Sequence, residues 1–179
     1  RGLMLNRAVQ HFCQDVAWPS DLDYLLIDMP PGTGDVQMGL AKMLPRAEML
    51  IVTTPALNAQ KVAARAAGMG TKNYLRIVGV IENMSEFVAP DGSRHSLFGE
   101  GGGQQLADDI GAPLLGRVPI EPAVSVKGDQ GDPAALGETP AAEQLRAIAR
   151  MLAEEYVPPI EMAGCSARML DAAMAALDA

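Results

Sequence analysis

The sequence predicts an α/β fold, a doubly wound and mostly parallel sheet with helices on both faces. Two observations carry this expectation. Four short runs, at residues 24–27, 49–53, 77–81 and 114–118, are rich in branched aliphatics and apolar throughout, without alternation. Continuous apolarity means burial on both faces, the condition of parallel strands covered by helices on each side. Between the runs lie helix-like stretches at 36–44, 58–74 and 103–110, so strand and helix take turns along the chain.

The elements follow in order. Leu5, Ala8, Val9, Phe12, Cys13 and Val16 repeat at helical spacing before Trp18-Pro19 stops them, which predicts a helix ahead of the first strand. The 24–27 strand ends in Asp28, and a Pro/Gly loop then leads to Asp35, placed to cap the helix that starts at Val36. Residues 86–98 break the alternation. Two semi-apolar arms flank Pro90-Asp91-Gly92, a turn signal that predicts a hairpin projecting from the sheet. After the last strand, Thr139 is a candidate cap and Pro140 a first helical residue, with Leu145, Ile148, Ala149 and Leu152 on one face. Pro158-Pro159 ends that helix. In the tail, Met169, Leu170, Ala173, Met174 and Leu177 form one stripe, predicting a short amphipathic helix that packs on protein.

Composition bounds the function. With 179 residues and 49% apolar content the chain is long enough for one substantial core, so one domain is expected. Acidic residues outnumber basic ones by 22 to 14, giving a net charge of -8, and no Lys/Arg run could follow a nucleic-acid backbone. Nucleic acid and anionic membrane are therefore not expected partners. Apolar stretches are interrupted well before the roughly 18 residues of a membrane span, and no secretory leader pattern opens the chain, so a cytoplasmic location is expected. Cys13 and Cys165, far apart and without a CxxC, indicate neither a disulfide framework nor a zinc site.

The most informative segment is Leu25-Leu26-Ile27-Asp28-Met29-Pro30-Pro31-Gly32-Thr33-Gly34-Asp35. In open α/β sheets ligands sit outside the carboxyl ends of the strands, which is where Asp28 is delivered. A carboxylate there can hold Mg²⁺ through its water shell, while Gly32 and Gly34 let backbone N–H groups approach a phosphate. A solvated strand-end carboxylate is the plainer alternative for Asp28. Gly101-Gly102-Gly103 lacks the G-x-x-x-x-G-K-[ST] spacing of a phosphate cradle and reads as a flexible entry into the next helix.

LLIDMPPGTGD resembles the Walker B and switch region of the Mrp/ApbC family of P-loop ATPases, bacterial relatives of the eukaryotic cytosolic iron-sulfur scaffold ATPases. Further matches follow in the same order: IVTTP at 51–55, GVIENMS at 79–85, FGEGGG at 98–103 and GRVPIEP at 116–122. The resemblance spans the chain from about its first residue to Ala153. It implies a deviant Walker A P-loop NTPase fold over residues 1–157, with 158–179 as a separate tail. It also implies ATP and Mg²⁺ as cofactors, a homodimer, and iron-sulfur client or scaffold proteins as partners.

Residue by residue, the resemblance makes Asp28 the Walker B carboxylate that holds Mg²⁺ through water, and places Thr33 and Gly34 in the loop that senses the γ-phosphate. Asn83 would read adenine through its side-chain amide, which both donates and accepts, and Pro119, Ile120 and Glu121 would wrap the other edge of the base. A turn-forming Asn after a strand is the alternative for Asn83. Two departures bear on activity. Nothing in residues 1–179 resembles the family's first strand and lysine-bearing phosphate loop, so this chain by itself is expected not to hydrolyse ATP. Many relatives also carry C-P-x-C after ENMS, whose thiolates hold a shared iron-sulfur cluster. Here Ala89 and Gly92 occupy the two cysteine positions, so no iron-sulfur ligand is expected at the hairpin. The leading reading is an ATPase of iron-sulfur cluster assembly or carriage. Its competitors are a MinD/ParA-like positioning ATPase and a non-enzymatic dimerisation or binding module.

Overall fold

Three of the four apolar runs become neighbouring strands. The computed structural model describes residues 7, 10–12, 15–29 and 35–159. Its elements are α1 (Asp35–Met43), β1 (Glu48–Thr53), α2 (Leu57–Lys72), β2 (Arg76–Val88), β3 (Arg94–His95), α3 (Gly102–Ile110), β4 (Leu114–Ile120), α4 (Pro122–Asp129) and α5 (Pro140–Met151), with a π-type turn over Leu152–Tyr156. β2 is the central strand. β1 and β4 pair with it in parallel on its two sides, and β3 folds back on its far end as the antiparallel arm of the expected hairpin.

Each face of β2 is covered, as its unbroken apolarity requires. On one face Ile51, Val80, Ala63, Ala67, Leu106 and Ala107 form a cluster that joins β1 and β2 to α2 and α3. On the other, Val78, Ile81, Leu115, Val118, Ala141 and Ile148 join β2 and β4 to α5. Val80 and Ala107 are fully buried, and each large aliphatic side chain so buried contributes roughly 1.5–3 kcal/mol. Small residues set how closely the layers approach. At Gly116 a Cβ would lie 2.8 Å from Ile148 Cδ1, so the absent side chain is what seats α5 on β4.

A bulge explains the pattern within β2. Pairing with β1 jumps from Met49 opposite Ile77 to Leu50 opposite Gly79, leaving Val78 unopposed. Ile77 packs with the α2/α3 cluster and Val78 with the α5 cluster, while a Cβ on Gly79 would strike Leu115 Cγ at 2.5 Å. Two consecutive residues thus face α5, and only a glycine leaves room for Leu115.

Helix boundaries follow local chemistry. Thr139 caps α5 as expected, its hydroxyl accepting the Ala142 N–H at 3.3 Å, an interaction worth about 1 kcal/mol. Asp35 is the first helical residue of α1, one position inside its expected place as cap. The helix α4 has no counterpart in the sequence expectations. None of its residues is buried, so no apolar stripe announces it; Pro122 at its start is its only local signal.

The 24–27 run is the principal correction. Residues 22–29 have no regular secondary structure, and Leu25, Leu26 and Ile27 are 45%, 91% and 41% exposed. An apolar run becomes a strand only where a neighbouring edge completes its ladder of hydrogen bonds, and among the described residues none does so here. The segment is held instead by Tyr24, whose hydroxyl donates to the Val157 carbonyl at 2.7 Å. In the expected first helix, residues 7 and 10–12 are helical and Phe12 is exposed. Its Leu5, Ala8, Val9 and Cys13 lie outside the described residues, as do the tail helix and Cys165.

Candidate functional site

β2 and β4 run parallel, so their carboxyl ends open on the same side of the sheet. Asn83 is registered opposite Val118, and Pro119 and Ile120 complete β4 immediately beyond it. Glu121 follows as the residue before α4. The sequence expectation for Asn83, Pro119, Ile120 and Glu121 thus names residues that the fold gathers at one crest, the position where open α/β sheets hold ligands. Of these residues Pro119 also borders a cleft of about 620 Å³, whose lining includes Glu82, Arg117, Glu100, Gly101 and Pro140 but not Asn83, Ile120 or Glu121.

Asn83 is half-buried, and its Oδ1 accepts the N–H of Met84 at 2.9 Å. Met84 takes a left-handed conformation, φ 55°, which turns the chain sharply just past the amide. One oxygen lone pair is therefore engaged within the chain; the side-chain amide carries two N–H donors and a second lone pair besides. The side chain of Glu121 also serves the fold: its Oε1 accepts the Ala141 N–H at 2.8 Å, at the start of α5. It joins Thr139 in satisfying the open N–H groups of that helix, where a negative charge also meets the positive end of the helix dipole.

Sequence reasoning missed Glu82. This carboxylate is 2% exposed, in register with Thr53 on one side and Arg117 on the other. Its Oε2 accepts the Gly103 N–H at 2.5 Å, in the first turn of α3, and its Oε1 lies 3.4 Å from Arg117 Nε. The signal lay in the triple glycine. A Cβ on Gly102 would lie 2.3 Å from the Pro55 carbonyl oxygen, and one on Gly103 2.6 Å from Glu82 Cβ. The expected flexible entry is a close approach of backbone to backbone and to a buried carboxylate; only Gly101, with φ 70°, uses conformational freedom.

Asp28 is exposed, on the segment without regular structure, and Thr33 and Gly34 lie outside the described residues. At the hairpin, Asp91 Oδ1 accepts the Ser93 N–H at 2.9 Å and the Ser93 hydroxyl at 2.6 Å, and Ser93 Oγ lies 2.9 Å from His95 Nε2. The Ser93 hydroxyl, then its N–H, hold the Asp91 carboxyl below its ordinary range. Gly92, at φ 83°, donates to the Ala89 carbonyl to close the turn, and Arg94 pairs with Glu86 across the arms. Ala89 and Gly92 offer no metal ligand. Among the described residues no group of three or more His, Cys, Asp or Glu is arranged to hold a metal ion, and no helix is long and apolar enough to cross a membrane.

A mostly parallel sheet sandwiched by helices, with polar side chains gathered on one side of adjacent strands, defines a doubly wound α/β protein, a class that holds its ligands at that edge. The comparisons agree. The family model described as "ParA: NUBPL iron-transfer P-loop NTPase" matches residues 1–153, and the chain belongs to that family. An iron-sulfur cluster carrier protein of Mycobacterium leprae is 48% identical over 157 residues, covering 83% of this chain and 41% of that protein. One from Deinococcus radiodurans is 47% identical over 156 residues, covering 86% and 44%. The chain thus spans about two-fifths of the length of these curated relatives.

Among solved structures, a nucleotide-binding protein from Archaeoglobus fulgidus in complex with ADP is similar with a TM-score of 0.63 at 33% identity, over 73% of this chain and 54% of that one. The MinD protein of Pyrococcus horikoshii reaches a TM-score of 0.63 at 21% identity, over 86% and 57%, a likeness of fold.

Proposed function

We propose that this chain is the base-recognising part of an ATP-dependent iron-sulfur cluster carrier. The observation that carries the reading is the placement of Asn83 and Pro119 on adjacent parallel strands, Asn83 in register with Val118, inside a stretch that matches the iron-transfer NTPase family over residues 1–153. The residues present suit the base of a nucleotide. Asn83 retains two donors and an acceptor lone pair, and Pro119 and Ile120 offer apolar edges to a flat ring. The ADP complex of the Archaeoglobus fulgidus relative supports the same ligand class.

At the phosphate end, Asp28 would hold the water shell of Mg²⁺, and Thr33 and Gly34 would meet the γ-phosphate. An exposed carboxylate suits a hydrated cation, since Mg²⁺ keeps several of its waters. Mg²⁺ bound with ATP would offset charge developing on the transferred phosphoryl group. The chain's own task is to orient: Asn83 fixes the base while Asp28 fixes the water shell. A cluster carried as cargo would find no thiolate at Ala89 or Gly92 and would take its ligands elsewhere. Homodimerisation, iron-sulfur client proteins, a cytoplasmic location and the division into an NTPase unit (1–157) and a tail (158–179) belong to the same proposal.

The experiment is calorimetric titration of ATP into the natural polypeptide that contains this chain, with and without Asn83→Ala. ATP binding weakened roughly tenfold in the variant is the expected result, the effect of one oriented hydrogen-bonding group. Equal affinity in both proteins would remove Asn83 from the site.

A further inference from the structure

We propose that Glu82 is a positioning residue for base selection, acting through the end of β2 on Asn83. The inference rests on the reading of Asn83 as the residue that meets the base.

A carboxylate that is 2% exposed is costly to bury unless its charge is met. Glu82 is met from two directions. The Gly103 N–H comes from the first turn of α3, where unpaired backbone donors and the helix dipole favour a negative charge. Arg117 approaches from β4, on the residue directly in register with Glu82. These contacts tie one point of β2 to the helix layer and to the neighbouring strand at once.

The next two residues show what the tie holds in place. Asn83 follows Glu82 directly, and Met84 sits at φ 55°, a left-handed conformation that L-residues rarely adopt. That turn brings the Met84 N–H to Asn83 Oδ1 and so sets which atoms of the amide remain for a ligand. A strained turn persists only when its surroundings over-determine it. The anchor immediately before this one is Glu82. The lack of a side chain on Gly103 is part of the device, because a Cβ there would collide with Glu82 Cβ at 2.6 Å.

The test is the ratio of dissociation constants for GTP and ATP, measured by calorimetry on the natural polypeptide containing this chain. The proteins compared are the wild type, Asn83→Ala, Glu82→Leu, Glu82→Gln and Arg117→Ala. The wild type is expected to favour ATP, and Asn83→Ala to abolish most of that preference. Glu82→Leu is expected to lower the preference roughly tenfold while leaving GTP affinity within about twofold. Glu82→Gln, which keeps an oxygen for the Gly103 N–H, is expected to retain most of it. A purely structural Glu82 would weaken both nucleotides alike and leave the ratio unchanged, and that outcome overturns the proposal. If Glu82→Leu does not fold, Arg117→Ala decides, because the Arg117 side chain is half exposed and belongs to neither apolar cluster, while Glu82 keeps the Gly103 N–H. A ratio lowered severalfold supports the tie and an unchanged one overturns it. Should Asn83→Ala itself leave the ratio unchanged, or the wild type show no preference, base reading at Asn83 falls and this proposal with it. Loss of preference in Asn83→Ala but not in the Glu82 and Arg117 variants overturns only the role of Glu82.

Discussion

Gly103 donates its backbone N–H to the buried carboxylate of Glu82 at 2.5 Å, and a methyl group at position 103 would stand 2.6 Å from Glu82 Cβ. Since both partners are held, by α3 and by the middle of the sheet, neither can retreat cheaply. Gly103→Ala is expected to destabilise the protein by about 1–3 kcal/mol, the usual cost of overpacking. Urea unfolding measures it. A midpoint equal to that of the wild type would show that the α3 layer gives way more easily than this geometry implies.

The bulge in β2 makes a second overpacking site that can be relieved. Gly79→Ala would place its methyl against Leu115 Cγ, and Leu115→Ala would leave a cavity in the α5 layer. The two changes are complementary in volume. Their combined destabilisation is expected to fall short of the sum of the single effects by about 1 kcal/mol or more, as for residues in direct contact. Strict additivity in denaturant unfolding would mean that Leu115 does not fill the space at Gly79.

At the hairpin, the hydrogen bonds from Ser93 hold the Asp91 carboxyl below its ordinary range. A carboxyl whose folded value is depressed supports the folded turn at every pH above its unfolded value, and that support is lost as pH falls through the folded value. An NMR titration of the Asp91 side chain is expected to show a lowered pKa that Ser93→Ala moves back towards normal. The return is partial, because the Ser93 N–H still donates. A native Asp91 that titrates like an unstructured peptide would contradict the turn.

For the natural polypeptide, Asp28→Asn is expected to abolish ATP hydrolysis while sparing much of the nucleotide affinity. The carboxylate would act on the metal's water shell, whose electrostatic effect matters most as charge develops on the γ-phosphate. Steady-state phosphate release alongside ATP titration separates the two quantities. Undiminished turnover in Asp28→Asn would place Asp28 outside the site.

Legibility in the sequence tracked how each residue is stabilised. The run at 77–81 was readable because burial on both faces of β2 leaves an unbroken apolar signature, and those at 49–53 and 114–118 carry the same signature although Val52 stays 55% exposed. The run at 24–27 carries the same signature but no strand, because pairing is a property of two edges and composition reports only one. Helix α4 was silent since nothing in it is buried. Asn83 and Pro119 to Glu121 came from a family resemblance, and the fold brought them to one crest. Glu82 went unseen because a glutamate closing an apolar run reads as the solvated end of a strand, and its partner is a backbone N–H twenty-one residues away. The side chain of Glu121 shows the reverse: its position was anticipated, but the open donors of α5 claim its carboxylate.

β2 has one property that neither of its ends shows separately. It runs from Arg76 to Val88 without interruption, so Asn83 at the crest and Phe87 at the root of the hairpin lie on a single span. Three residues lie between them, four steps of the backbone and at most about 14 Å of chain. Met84, with its left-handed backbone, sits between the two like the pivot of a crank. The crest and the Asp91 hairpin are therefore two regions of one strand, joined through the backbone of Met84, Ser85 and Glu86.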